Sequence, residues 1–456
     1  MSDGELSPAA GHVVSFGEAL RFWVRLGFIN FGGPTGQIAI MHQELVERRR
    51  WISDGRFLHA LNYWMLLPGP EAQQLAIYVG WLMNGTPGGL VAGDFFIVPS
   101  FFLMLVLSWV AAAHGDVTWV AAIFSGLAAA VVGIVGAAVI RVGDRALKNP
   151  LMVAVAAAAF VAIFFAGVPF PFVVIGAGLL GLVAGHRWPA TFATIRRDDA
   201  IGEEAVLHDR AETPDHAVAS WGRAVRVLVV GLAAWLVPLL VVSSLDLGTG
   251  VFRDQAFFFS KAALVTFGGA YAVLAYLNQA AVGQFAWLTA GQMVTGLGLA
   301  ETTPGPLIMV TQFAAFLGAY RFHGDLDPLA AGMLGSVVAV WATFAPCFLW
   351  IFLGAPSIER LRGNVRLSSA LSTITAAVVG VIASLAATFA VNTLFDEVRT
   401  TAFLDARIPV PHLESVDPFA LVVAGIAFVG IWRFRWNVVA VVLAAAAAGL
   451  VRSFLG

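Results

Sequence analysis

Apolar runs, the longer of them able to cross a bilayer, follow one another along nearly the whole chain, and this restricts the fold more sharply than any other property. They fall at about 15–41, 57–84, 88–113, 117–140, 151–166, 168–186, 224–243, 255–280, 290–320, 328–355, 369–395, 418–432 and 437–454. A hydrocarbon core about 30 Å thick takes roughly 20 helical residues. Lipid offers no hydrogen bonds to a backbone, so only helices or a closed barrel can span it. The alternating strands of about ten residues that mark a barrel are missing. Only 12% of the residues are charged, about half the share of an ordinary soluble domain. The expected fold class is therefore an all-α polytopic membrane protein.

Other bulk properties exclude more than they assign. Cys347 is the only cysteine, which rules out an internal disulfide and a thiolate metal cluster. The net charge of −2 says nothing about partners, because charge in such a chain is sorted by loop. The polar start, Met1 to His12, lacks the basic region of a signal peptide and is expected to stay on the mature protein. No G-x-x-x-x-G-K-[ST] stretch is present to bind ATP, and no H-E-x-x-H to hold a catalytic metal. Neither an enzyme, a resident cofactor nor a metal site is expected.

The chain divides about one hydrophilic stretch, His186 to Arg223, whose mixed charges read as a linker. The expected organisation is a repeat at 1–187, a linker with a connecting helix at 188–250, and a second repeat at 251–456. An ungapped shift of 236 residues maps Arg25 on Lys261, Phe31-Gly32-Gly33 on Phe267-Gly268-Gly269, Gln43 on Gln279, Trp51 on Trp287, and Pro68-Gly69-Pro70 on Pro304-Gly305-Pro306. Pro99-Ser100-Phe101 resembles Pro346-Cys347-Phe348 at a shift of 247. Many secondary transporters are built from such duplications.

Loop charge suggests that the repeats lie in opposite orientations. The loop with Arg48, Arg49, Arg50 and Arg56 is strongly basic, whereas its counterpart at 278–290 carries no charge. Positive loops stay cytoplasmic. We therefore expect 42–56, 356–367 and 433–437 inside and 278–290 and 396–417 outside, an inverted-topology repeat in which 15–41 and 57–84 are broken, re-entrant segments.

The breaks are the chemically informative positions. Proline ends a helix before it and suits the first turn of the next. Each Pro-Gly-Pro should thus open a new half-helix at membrane depth, with free N–H groups and a positive dipole end that suit an anion. A plain kink is the alternative. The paired glycines before Pro34 and at Gly268-Gly269 allow amides to curl around an anion or backbones to pack closely. Arg25 and Lys261 share one repeat position and would attract a dianion, or else snorkel to an interface. Gln73 is a neutral donor. Glu71 follows the first Pro-Gly-Pro, while Glu301 precedes the second by three residues; both could carry a coupling proton. They are not repeat mates, which suggests different jobs for the two halves.

At these residues the chain resembles the chromate ion transporter family, of the long two-domain type. The matching elements are Phe31-Gly32-Gly33-Pro34, the Arg-rich loop ending in Trp51-Ile52-Ser53, Leu67-Pro68-Gly69-Pro70 with Gln73, Thr266-Phe267-Gly268-Gly269, and Thr303-Pro304-Gly305-Pro306. The second copy has Ala270 where Pro34 stands and lacks the Arg-rich loop. The resemblance implies export of chromate across a bacterial inner membrane, and hence chromate resistance. Some members handle sulfate, so a sulfate importer is the nearest alternative; an anion channel or a receptor is the one from another class. The expected partners are the oxyanion, the lipid bilayer and at most a second copy in a homodimer; no nucleic acid is expected.

Overall fold

The computed structural model describes residues 14–64, 67–187, 220–265, 267, 269–356, 365–403 and 406–455. The core of the expected linker at 188–219, Thr266, Gly268, and Arg360 and Arg362 of the 356–367 loop lie outside the described residues.

Helix α1 (Phe16–Ile29) starts at Ser15, whose hydroxyl accepts from the Glu18 amide, and buries Ala19, Phe22, Trp23, Leu26 and Gly27. It stops at Asn30. Gly32 and Gly33 then turn the chain with φ of 93° and 65°, and α2 (Gly33–His42) begins with Pro34 in its first turn. α2 runs on as a π-helical turn, Gln43–Arg48, before α3 (Asp54–Trp64). After Pro68-Gly69-Pro70 comes α4 (Glu71–His114), a helix of 44 residues bent where Asn84 and Gly85 leave helical geometry. The two arms of α4 fold against each other at Gly80 and Gly88, where a β-carbon on either would collide with the other's carbonyl oxygen. Close approach through small residues is the usual packing mode in lipid, where burial of apolar surface drives little. The first repeat finishes with α5 (Thr118–Ala146), α6 (Pro150–Phe164) and α7 (Phe170–Arg187). Among the described residues, helix α8 (Trp221–Ser244) follows and leads into the second half.

The second half follows the same order: α9 (Val251–Val265), α10 (Ala270–Leu277), a π-helical turn (Asn278–Gln284), α11 (Ala290–Thr302), a 3-10 turn (Leu307–Met309), α12 (Val310–Arg321), α13 (Pro328–Gly354), α14 (Val365–Leu394), α15 (Pro418–Phe434) and α16 (Val438–Leu455). The duplication extends to backbone detail. Arg50 and Ala286, 236 residues apart, both sit at positive φ, 53° and 52°. The Trp51 amide donates to the Leu45 carbonyl and the Trp287 amide to that of Ala281, each at 2.8 Å. Even a substitution is accommodated in place: Arg49 lies over the Trp51 ring at 5.0 Å, and its counterpart Phe285 stacks on Trp287 at 4.5 Å.

The halves are interlocked rather than side by side. α5 packs on α15 and α16 of the second repeat, while its counterpart α14 packs on α6 and α7 of the first. Gly133 of α5 meets Ala424, and Gly380 of α14 meets Ala156, at equivalent points of the two contacts. One buried cluster joins α1–α4 to Cys347 and Ile351 of α13; a second joins α5 and α7 to the rest of the second half. Among the described residues, seven helices are long and apolar enough to cross a membrane, including α4, α5, α8, α13 and α14. The expected all-α polytopic fold with broken helices is observed. One departure is an antiparallel hairpin, Val398–Phe403 with Ala406–Pro411, in the loop at 396–417. Its β-branched residues Val398, Thr400, Thr401, Ile408 and Val410 suit strands, and the segment lies outside the apolar runs.

Candidate functional site

All four expected interruptions are present, and each rests on a glycine at positive φ: Gly32 and Gly33, Gly69 (120°), Gly269 (92°) and Gly305 (107°). Side chains with a β-carbon rarely adopt these conformations. The turns dock across the repeats. A β-carbon on Gly69 would lie 3.0 Å from Cys347 Sγ, and one on Gly305 2.7 Å from Ser100 Cβ. Ser100 and Cys347 are the middle residues of the two Pro-x-Phe motifs, so each Pro-Gly-Pro sits on the other repeat's copy. The Gly305 amide donates to the Asn30 carbonyl at 2.8 Å, and the Gln37 side chain donates to the Gly305 carbonyl. The second Pro-Gly-Pro is thereby tied to the first diglycine. Within the first repeat, Gln74 Nε2 donates to the Pro68 carbonyl at 2.8 Å.

The two carboxylates are crossed in the same way. A β-carbon on Gly33 would lie 3.8 Å from Glu301 Oε2; one on Gly269 would lie 3.5 Å from Glu71 Oε1. Each acid therefore sits at the diglycine turn of the opposite repeat, where α2 and α10 begin. Tyr271 donates its hydroxyl to Glu301 Oε1 at 3.0 Å. Glu301 is buried, and so are Asn30 and Gln73. Both polar atoms of Asn30 and of Gln73 lack a hydrogen-bond partner among the described residues. Unpaired polar atoms at this depth are costly unless something polar fills the space. The site is thus a set of buried amides, a half-buried hydroxyl, and one buried and one half-buried carboxyl group at four helix interruptions.

The expected residues divide accordingly. Pro68, Pro70, Pro304, Gly305 and Pro306 are buried, and Phe31, Gly32, Gly33, Pro34, Gly69, Glu71 and Gly269 are half-buried. Arg25 and Lys261 are exposed, on the helix faces opposite the buried ones, beside Phe28 and Phe257 respectively. That placement matches their interfacial alternative and not a charge at the site. The cations within electrostatic range of the acids are instead on α5: Arg145 acts on Glu71, and Arg141 acts on Glu301 and Tyr271. Gln279 proves structural, accepting from the Phe170 amide and donating to the Val168 carbonyl.

Asn30, Gln37 and Tyr271 were missed. The chain has 5 tyrosines against 35 phenylalanines, so a tyrosine two residues past a diglycine was a usable signal for a hydroxyl that needs a partner. Asn30 and Gln37 flank Gly32-Gly33 within an apolar run and carried the same kind of signal.

Broken helices from two repeats, meeting at buried polar groups, define a multi-pass membrane protein of the architecture on which secondary transporters are built. The chain belongs to the chromate transporter family, whose model matches residues 17–182 and 253–450. It is 31% identical over 439 residues to a chromate transport protein of Pseudomonas aeruginosa, covering 96% of this chain and 92% of that one. A chromate transport protein of Cupriavidus metallidurans is 27% identical over 418 residues, 91% of this chain and 92% of the relative. A probable chromate transport protein of Synechococcus elongatus is 27% identical over 421 residues, 92% of this chain and 96% of the relative. No solved structure matches the chain.

Proposed function

We propose that the protein is a secondary transporter that exports chromate from the bacterial cytoplasm across the inner membrane. The observation that carries this reading is the crosswise meeting of both Pro-Gly-Pro turns and both diglycine turns, in a chain whose relatives are named for chromate transport. Backbone N–H groups near Gly32, Gly33, Gly69, Gly269 and Gly305 supply hydrogen bonds to the oxyanion, helped by Asn30 and Gln73. Arg141 and Arg145 supply positive potential from α5. Outward movement of a dianion from a cell that is negative inside is favoured by about 2.3 kcal/mol per charge per 100 mV. The repeats are inverted in this reading, with the connecting helix α8 reversing the second half.

The test is transport of radiolabelled chromate and sulfate in proteoliposomes under imposed potential and pH gradients. Saturable chromate counterflow that responds to an outward-driving potential is expected. Preferential sulfate movement would give the site to the importer reading, and non-saturable flux without counterflow would make the protein a channel.

A further inference from the structure

The positions best suited to the oxyanion are held in this structure by the protein's own carboxylates. Glu301 Oε2 stands at Gly33, the first residue of α2, and Glu71 Oε1 stands at Gly269, the residue that caps α10. The two acids are not equivalent in the duplication, yet they occupy equivalent places, each reaching from one repeat to the other. A carboxylate is a planar oxyanion, and helix starts stabilise it as they would a free anion. Asn30, three residues before Gly33, is fully buried with both side-chain polar atoms unpartnered among the described residues, so hydrogen-bonding capacity is left over beside the first diglycine turn.

We propose that Glu71 and Glu301 are built-in stand-ins for the transported oxyanion, displaced from the diglycine turns when it binds, and that one of them takes up a proton from water as it yields. This rests on the oxyanion-site reading above and adds the sign of its coupling. A dianion arriving beside a buried carboxylate favours the neutral acid, since like charges at one site cannot both persist. The step is a plain protonation: R-COO⁻ and H⁺ give R-COOH, with no other bond made or broken. The groups that face the acids are Arg145 of α5 for Glu71, and Arg141 of α5 with Tyr271 of α10 for Glu301. Other charged or titratable residues on elements packed against α4 or α11 include Glu18, Arg21 and Arg25 of α1, His42 of α2, Asp54 and Arg56 of α3, Asp94 of α4 itself, Asp144 of α5 and Arg366 of α14. They also include Arg321 of α12, which donates to the Ala286 carbonyl, and Arg452 of α16, which pairs with Asp417. α11 carries no charged residue besides Glu301.

The consequence separates two kinds of coupling. Binding of oxyanion and proton is mutually reinforcing, and linkage is reciprocal, so the two travel in the same direction. Proton antiport requires the opposite, that each expel the other. A dianion with one proton still carries a net negative charge, so the membrane potential continues to favour its exit.

The experiment uses the full chain purified in detergent, with chromate as the probe in the alkaline range where it is fully doubly charged. Calorimetry in buffers of different ionisation enthalpy counts the protons bound with chromate, and affinity is followed against pH. The expected result is uptake of about one proton and a roughly tenfold loss of affinity per pH unit of increase. E71Q and E301Q, checked for monodispersity, should between them abolish the slope, with affinity at high pH raised in the variant that removes it. Chromate binding without proton uptake in the unaltered protein would overturn the proposal, as would two glutamine variants that keep the full slope. Failure of the site itself reads differently: chromate affinity would then survive replacement of Pro68-Gly69-Pro70 and Pro304-Gly305-Pro306 by alanine, whatever the pH dependence.

Discussion

At the scale of single residues, the glycines at the breaks are not interchangeable. Gly305 has a φ of 107° and faces Ser100 Cβ, whereas Gly33 has a φ of 65° with open space up to the Glu301 carboxylate. An alanine at Gly33 should cost about 1–2 kcal/mol, the left-handed penalty alone. At Gly305 overpacking adds about 1–3 kcal/mol. Thermal unfolding midpoints of the two purified variants should therefore rank Gly305→Ala well below Gly33→Ala, and equal midpoints would remove the close approach to Ser100 from the account. The cations divide just as clearly. Arg25→Gln and Lys261→Gln should leave chromate affinity nearly unchanged, because both side chains point away from the buried helix faces. Arg141→Gln and Arg145→Gln should each weaken it by about 0.5–1 kcal/mol, roughly two- to fivefold, since exposed charges are screened. Titration of the four variants by calorimetry decides; a loss confined to Arg25 and Lys261 would return the charge to those positions.

At the scale of elements, the informative objects are the half-helices. If Pro68-Gly69-Pro70 becomes Ala-Ala-Ala, the segment can run on as one helix, and the freed N–H groups then bond to carbonyls four residues back. Binding should be lost from a protein that still folds. The same change at Pro304-Gly305-Pro306 also breaks the tie between the Gly305 amide and the Asn30 carbonyl. It should therefore reduce stability as well as binding. Wild-type affinity in both triple variants would leave the turns as kinks. The packing elements work differently, since α5 and α14 hold the halves together through Gly133 on Ala424 and Gly380 on Ala156. Gly380→Leu should lower the yield of folded protein without any specific effect on the affinity of what survives, measured by size-exclusion chromatography followed by calorimetry.

At the scale of the whole molecule, the duplication and its crossed contacts are compatible with one half inverted against the other about the connecting helix α8. Single cysteines introduced at Arg49 and Gly283 in a Cys347→Ser background test this on intact cells; serine is what the first repeat has at the equivalent position, Ser100. An impermeant thiol reagent should label the Gly283 position and not the Arg49 position. The reverse pattern, or labelling of both, would sink the inverted arrangement.

Much of this was legible in the sequence. Hydrophobic runs, proline and glycine act locally, through solvation and backbone sterics, so the helices, their four interruptions and the 236-residue repeat could be read without coordinates. The local π-helical turns and the positive φ at Ala286 could not, because nothing in the residue type at that position demands them. What crosses between repeats was invisible for a different reason. That Glu301 reaches Gly33 while Glu71 reaches Gly269 depends on how two half-helices pack, not on either segment alone. Repeat alignment made the two acids look unrelated, since they sit on opposite sides of the Pro-Gly-Pro. Helical phase likewise turned Arg25 and Lys261 outward and brought Arg141 and Arg145 within range of the acids from a helix in a different part of the chain. The sequence by itself determined which segments are helices and where they break. Only the tertiary structure decided which charges meet at those breaks, because electrostatic interaction depends on distance through the folded protein and not on separation along the chain.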